Sequence, residues 1–217
     1  MTRNEIAKYI DHTNLKPDAT TLEINKLCEE AIKYGFFSVC VNPYRVKMAY
    51  NILKDTSTQI VSVIGFPLGA TTSKIKSSEA KIAIENGATE LDMVINIGAL
   101  KDRSYDIVKK DIMSVVKIAA GLIVKVIIEC CYLSDEEKIK ACKIISQTEA
   151  NYIKTSTGFG PSGASINDIT LISNNIPKNI KIKAAGGIRD FSTACSFINH
   201  GASRIGTSHG VNIVCGE

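Results

Sequence analysis

Two lysines stand where apolar runs give way to glycine. Residues 152–160 read YIKTSTGFG and residues 181–189 read KIKAAGGIR. Each segment starts like a buried strand, carries one interior lysine (Lys154 or Lys183), and passes into small residues and glycines. A lysine within a buried strand is costly unless it is paired, neutral or at work. The work open to an isolated amine is attack on a carbonyl carbon to form an imine. We therefore read Lys154 as a candidate Schiff-base nucleophile and Lys183 as a second lysine in the same pocket. A single strand lysine is more often an edge residue whose stem covers apolar surface while its ammonium reaches water. The repetition of the arrangement, with glycine exits both times, weighs against that alternative.

Further charges fall within or near strand ends: Asp11 in YIDHT, Asp92 in ELDMVIN, and Lys125 and Glu129 in IVKVIIE. Singly, each reads equally well as half of a structural ion pair. Together they form a set of both signs, which can be mutually compensated and which favours a reaction centre. Gly158, Gly186 and Gly187 follow the lysine segments, and Gly206 precedes Thr207 and Ser208. Glycines there let backbone N–H groups approach an anion, and a short helix after Ser208 would turn its positive end towards it. Gly35, Gly87, Gly121 and Gly201 read instead as helix stops. His12, His200 and His209 show no metal-ligand spacing with one another or with a cysteine, so no metal is expected; no other cofactor is assigned.

The elements that must position these residues alternate from end to end. Strands are expected at 9–13, 38–42, 59–66, 90–96, 123–129, 152–157, 181–185 and 204–207. Helices are expected at 20–34 (with Leu22, Leu27, Ala31 and Ile32 as apolar positions), from Pro43, at 72–86, at 104–120, from a Ser134–Glu137 capping box, from near Ser165, and at 190–200. Eight such units fit a closed parallel (β/α)₈ barrel forming one domain over residues 1–217. A doubly wound open sheet shares the alternation, but no GxGxxG follows the first strand. In a barrel, chemistry sits at the carboxyl ends of the strands, and phosphate sites favour the last two.

Composition narrows the setting. The 217 residues are 45% hydrophobic and 22% charged, with a net charge of +4. That charge is mild and dispersed, which argues against a nucleic-acid surface. No apolar run approaches a membrane span, and the start MTRNEIAKYIDHT carries no apolar leader. Seven cysteines without a CxxC suggest reduced thiols and a cytoplasmic protein.

The segments IDHT (10–13), VCVNP (39–43), VSVIGFPLG (61–69), ELDMVIN (90–96), VKVIIE (124–129), YIKTSTGFG (152–160), KAAGGIR (183–189) and RIGTS (204–208) together resemble the deoxyribose-phosphate aldolase family over essentially the whole chain. The resemblance implies a metal-independent class I aldolase on a (β/α)₈ barrel. Such an enzyme reversibly cleaves 2-deoxy-D-ribose 5-phosphate to D-glyceraldehyde 3-phosphate and acetaldehyde, in deoxyribose phosphate catabolism. It implies Lys154 as the Schiff-base lysine, Lys183 as its partner and Asp92 as the acid/base carboxylate. Asp11, Cys40 and Lys125 would line the same pocket, and Thr155, next to Lys154, is assigned there too. Gly158, Gly186, Gly187 and Ser208 would hold the phosphate, joined by Gly206. A homodimer is also implied.

This sequence departs from the family pattern at Asn14 (often leucine), Cys130 (often threonine) and His209 (often a second serine). It ends VNIVCGE, and its last tyrosine is Tyr152. The proton step is therefore expected to use water with Asp92 and Lys183 rather than a carboxyl-terminal tyrosine.

The chemistry explains the choice of lysine. Breaking a carbon–carbon bond beside a carbonyl leaves carbanion character, which a protonated imine accepts as a neutral enamine. The amine must first be neutral, and only about one free lysine in 10³ is so near pH 7. A nearby Lys183 cation and an apolar surround are expected to favour that form of Lys154. Two rival functions share the same barrel: a metal-dependent lyase or isomerase, and a sugar-phosphate-binding protein without turnover.

Overall fold

The structure is a computed structural model that describes residues 1–216. Its strands are β1 (Ile10–Asn14), β2 (Ser38–Val41), β3 (Gln59–Ile64), β4 (Glu90–Val94), β5 (Ile123–Ile127), β6 (Tyr152–Lys154), β7 (Lys181–Ala185) and β8 (Arg204–Thr207). The helices, in chain order, are α1 (Arg3–Ala7), α2 (Thr21–Tyr34), α3 (Val46–Leu53), α4 (Ser73–Glu85), α5 (Ile97–Lys101), α6 (Tyr105–Ala119), α7 (Asp135–Ile145), α8 (Ile166–Ser173), α9 (Phe191–Asn199) and α10 (Gly210–Cys215). The strands pair in sequence order, all parallel, and β1 closes on β8 to give the barrel. The open doubly wound sheet is thereby excluded.

Local signals set the helix boundaries. Thr20 with Glu23 and Ser134 with Glu137 form capping boxes at the starts of α2 and α7. Ser165 and Asp190 cap α8 and α9 through their side-chain oxygens. Gly35 ends α2 in the left-handed region, at φ 65°. The buried face of α2 is Ile24, Leu27, Cys28 and Ala31, whereas Leu22 and Ile32 are exposed. Placing those two on the apolar face was therefore an error of phase.

Several strands stop earlier than the apolar runs suggest. Strand β5 ends at Ile127, and two residues later Glu129 turns the chain at φ 52°. Strand β6 has three residues, because beyond Lys154 the Thr155 hydroxyl takes over pairing by accepting the Ala185 N–H at 3.2 Å. Pro43 opens a 3₁₀ turn, Pro43–Arg45, ahead of α3. Helices α1 and α5, at five residues each, are too short to show an apolar period.

Alternation along the strands divides the core in two. Val39 and Val41 join the large apolar cluster between sheet and helices, as do Leu91, Met93, Val124, Val126, Ile153 and Ile182. Cys40, Val61, Val63 and Leu15 form a second, small cluster. Barrel interiors are ordinarily filled by branched apolar residues. Here much of that space is taken by ionised side chains instead.

Candidate active site

Glu90 and Asp92 are two residues apart on β4 and share its inner face. Lys125 on β5 spans them, its Nζ 2.6 Å from Glu90 Oε2 and 2.8 Å from Asp92 Oδ1. The other Asp92 oxygen, Oδ2, accepts from Lys154 Nζ at 2.9 Å and from Lys183 Nζ at 2.7 Å. Lys183 also contacts Asp11 Oδ2. Asp11 Oδ1 accepts from Arg204 Nη1 at 2.8 Å and from Ser38 Oγ at 2.6 Å. Arg204 closes the circuit on Glu90 at 3.2 and 3.4 Å, its guanidinium 3.5 Å from the centroid of the Phe37 ring. Seven of the eight strands thus contribute to one buried network.

Burial alone would raise the carboxyl groups and lower the ammonium groups. Pairing reverses both trends. Burial pushes Asp92 up, but Lys125, Lys154 and Lys183 together hold it well below the usual carboxylate range. Asp11 is likewise held down against its burial by Lys183, Arg204 and Lys125. Lys183, disfavoured by burial, is raised above an ordinary lysine by Asp11 and Asp92. Lys125 is raised too, chiefly by Asp92 working against burial.

Above the network lies a cavity of about 680 Å³. Of the network's side chains only Lys154 lines it, in company with Thr157, Gly158, Ala185, Gly186, Gly187, Gly206 and Ser208. Phe66 lies to one side, its ring centroid 6.0 Å from Lys154 Nζ, and Phe159 stands edge-on to Phe66 at 5.4 Å. Gly158, Gly186 and Gly187 all have left-handed backbones (φ 87°, 87° and 79°), which admits glycine most readily. Ser208 Oγ and His209 Nδ1 are 3.1 Å apart on the rim. His12 also lines the cavity, with its Nε2 2.7 Å from Glu30 Oε2. Among the described residues, no group of three or more His, Cys, Asp or Glu is placed to hold a metal ion.

The structure brings Lys154, Lys183, Asp92, Asp11 and Lys125 together in one network, but none of the four expected pocket residues, Asp11, Cys40, Lys125 and Thr155, lines the cavity itself. Thr155 lies just past the end of β6, and its hydroxyl bonds the Ala185 backbone. Thr157 lines the cavity instead. Cys40 packs with Leu15, Val61 and Val63 below the cavity, and burial pushes its thiol up. The surround of Lys154 is also more polar than expected, since Asp92 touches its amine.

Glu90, Arg204 and Gly163 were missed from the sequence, whereas Glu129 was singled out as a charge near a strand end without a stated role. Glu90 and Arg204 each lie two residues before an assigned position, Asp92 and Gly206, so alternation alone would have found them. Both Glu129 oxygens accept the Thr157 N–H at 3.2 Å, which pins the loop leaving β6. A side chain on Gly163 would meet Gly186 O at 2.1 Å, so the two loops touch backbone to backbone.

A barrel that presents one amine of its buried network to a glycine-rimmed cavity suits chemistry on phosphorylated carbonyl compounds, and comparison with known proteins narrows that class to aldolases. The chain belongs to the DeoC/LacD family of aldolases, whose pattern matches residues 5–215. It is 57% identical over 220 residues to a deoxyribose-phosphate aldolase of Thermococcus kodakarensis, covering 100% of this chain and 98% of that one. It is 58% identical over 216 residues to the protein of that name from Thermococcus gammatolerans, covering 98% and 96%. Among solved structures, a deoxyribose phosphate aldolase from Aeropyrum pernix, described as a tetramer, superposes with a TM-score of 0.92. It is 31% identical and covers 98% of this chain and 91% of its own.

Proposed function

We propose that this chain reversibly cleaves 2-deoxy-D-ribose 5-phosphate into D-glyceraldehyde 3-phosphate and acetaldehyde through an imine on Lys154. The observation that carries the reading is the position of Lys154. It lines the cavity, and its Nζ shares one Asp92 oxygen with Lys183. Neutral Lys154 attacks the aldehyde carbon C1 of the substrate, and water leaves as the iminium forms. The C3 hydroxyl gives up its proton, the C2–C3 bond breaks into the iminium, and the enamine and D-glyceraldehyde 3-phosphate separate. Protonation of the enamine carbon and hydrolysis release acetaldehyde. Asp92, partnered by Lys183, handles the proton through water. The glycine rim, with Ser208, holds the phosphate and so fixes the reacting carbons relative to Lys154. Asp11 and Lys125 hold Asp92 and Lys183 in place.

The reading extends to the setting. Residues 1–217 act as one catalytic domain, which works in the cytoplasm as a homodimer and needs no metal. No helix among the described residues is long and apolar enough to cross a membrane, which agrees with that setting. Sedimentation should give a particle of twice 23.5 kDa, and EDTA should leave turnover unchanged. The decisive test is borohydride reduction in the presence of acetaldehyde followed by mass spectrometry of peptides. An adduct on Lys154 is expected; one on any other lysine overturns the assignment.

A further inference from the structure

The barrel interior holds an unequal number of charges. Lys125, Lys154, Lys183 and Arg204 face Asp11, Glu90 and Asp92, all within one set of contacts. Fully ionised, four cations meet three carboxylates, and one positive charge is left over among side chains that are all buried. Arg204 does not deprotonate in proteins. Lys183 bridges two carboxylates, and so does Lys125. Lys154 has a single anionic contact, on an oxygen it shares with Lys183, and it alone of the four reaches the cavity.

Resting on the reading of Lys154 as nucleophile, we propose that Glu90 and Arg204 are positioning residues. From the barrel floor they set the interior charge imbalance, and that imbalance makes Lys154 the amine that gives up its proton. Neither touches Lys154 in the structure. They act through Lys125 and Asp92 on one side and through Asp11 and Lys183 on the other. The adjacent cation Lys183 is therefore not sufficient by itself, because two carboxylates already answer its charge.

Other ionisable groups packed around the set form no ion pair with its members. Cys40 on β2 is a buried thiol raised by its burial, and Tyr152 on β6 lies against Arg204, 5.6 Å from guanidinium carbon to ring centroid. Glu129 after β5 is engaged by the Thr157 N–H, and His12 on β1 by Glu30 of α2. Lys16, Lys26, Glu23, Arg189 and His209 line the cavity without contacting Lys154.

The test measures how readily Lys154 reacts as pH varies. Acetylacetone is a suitable probe. A neutral amine adds to one carbonyl, water leaves, and loss of a proton gives a conjugated enaminone that absorbs in the near ultraviolet. Glu90→Gln is nearly isosteric and removes one anion, so the ammonium becomes less favoured. The midpoint of the labelling rate should move to lower pH by roughly one unit, the size of a charge interaction at several ångströms in a partly screened interior. Arg204→Gln removes a cation and should move the midpoint up by a similar amount. The double variant restores the imbalance and should return the midpoint to within a few tenths of the unmodified protein.

A merely structural role would lower amplitude or melting temperature without moving the midpoint. Unmoved midpoints in variants that fold, or movement of both in the same direction, overturn the proposal. If only one single variant folds, its direction still decides. Failure of the unmodified protein to label at Lys154 would instead overturn the aldolase mechanism proposed above, so the two results are separable.

Discussion

The protein buries lysine against aspartate in two places, and only one of them opens to solvent. Between α4 and α6, Lys76 Nζ meets Asp111 Oδ2 at 2.5 Å and the Val94 carbonyl at 2.7 Å. Lys76 is as completely buried as Lys125 and Lys183. Yet that pair is one cation to one anion and lines no part of the large cavity. Burial lowers Lys76 in spite of Asp111, whereas Lys183, with two carboxylates, ends above its ordinary value. A buried ion pair is therefore not a mark of chemistry. Access to a cavity and an unmatched charge distinguish the barrel set from the helix pair, which ties the carboxyl end of β4 to its flanking helices.

The largest contrast is expected at the amines. Lys154→Leu should lower kcat/KM by at least about 10⁴-fold with an unchanged circular dichroism spectrum. Lys76→Met should keep turnover within about tenfold at 25 °C. It should lose roughly 3–5 kcal/mol of stability, because Asp111 is left charged and buried. Loss of turnover by a folded Lys76→Met protein would erase the distinction. At the carboxylates, Asp92→Asn should cost about 10²–10⁴ in kcat, measured with saturating substrate, while Asp111→Asn should act on stability alone.

Acid should expose the same difference more gently. Asp11 and Asp92 are held below the ordinary range in the folded protein, so the unfolded chain binds more protons as the solution acidifies. Their stabilisation is fully present above the ordinary carboxylate value of about 4 and declines progressively below it. Urea unfolding at pH 6 and pH 3 should show a fall that is smaller in Asp92→Asn. The smallest effect belongs to Thr155→Val. Having lost the hydrogen bonds to the Ala185 carbonyl and N–H, it should cost roughly 1–3 kcal/mol and leave kcat/KM within about threefold. A larger loss of activity would return Thr155 to the pocket.

Most of the fold was legible because it rests on local rules. Capping at Ser134 and Ser165, the glycine stop at Gly35 and eight apolar runs need no knowledge of distant contacts. Strand ends were less legible. Whether the chain continues past Lys154 or Ile127 depends on partners such as Ala185 and on the turn at Glu129, which lie elsewhere in the sequence or in backbone geometry. In the site, Lys154, Lys183 and Asp92 stood out as charges in apolar runs. Thr155 was placed on the wrong side because a run of three hydroxylated residues carries no sign of which one faces inward.

By itself the sequence determined that eight strand–helix units exist, that charges lie on their inner faces, and that glycines follow the two lysines. Those facts follow from side-chain type and a period of two, both written along the chain. Only closure of the barrel decided that Lys154 and Lys183 meet on one oxygen of Asp92, that Arg204 reaches Glu90 across 114 residues and Asp11 across 193, and that Lys154 alone of the network reaches the cavity. Electrostatic contact depends on distance in space, and that distance is settled when β8 pairs with β1.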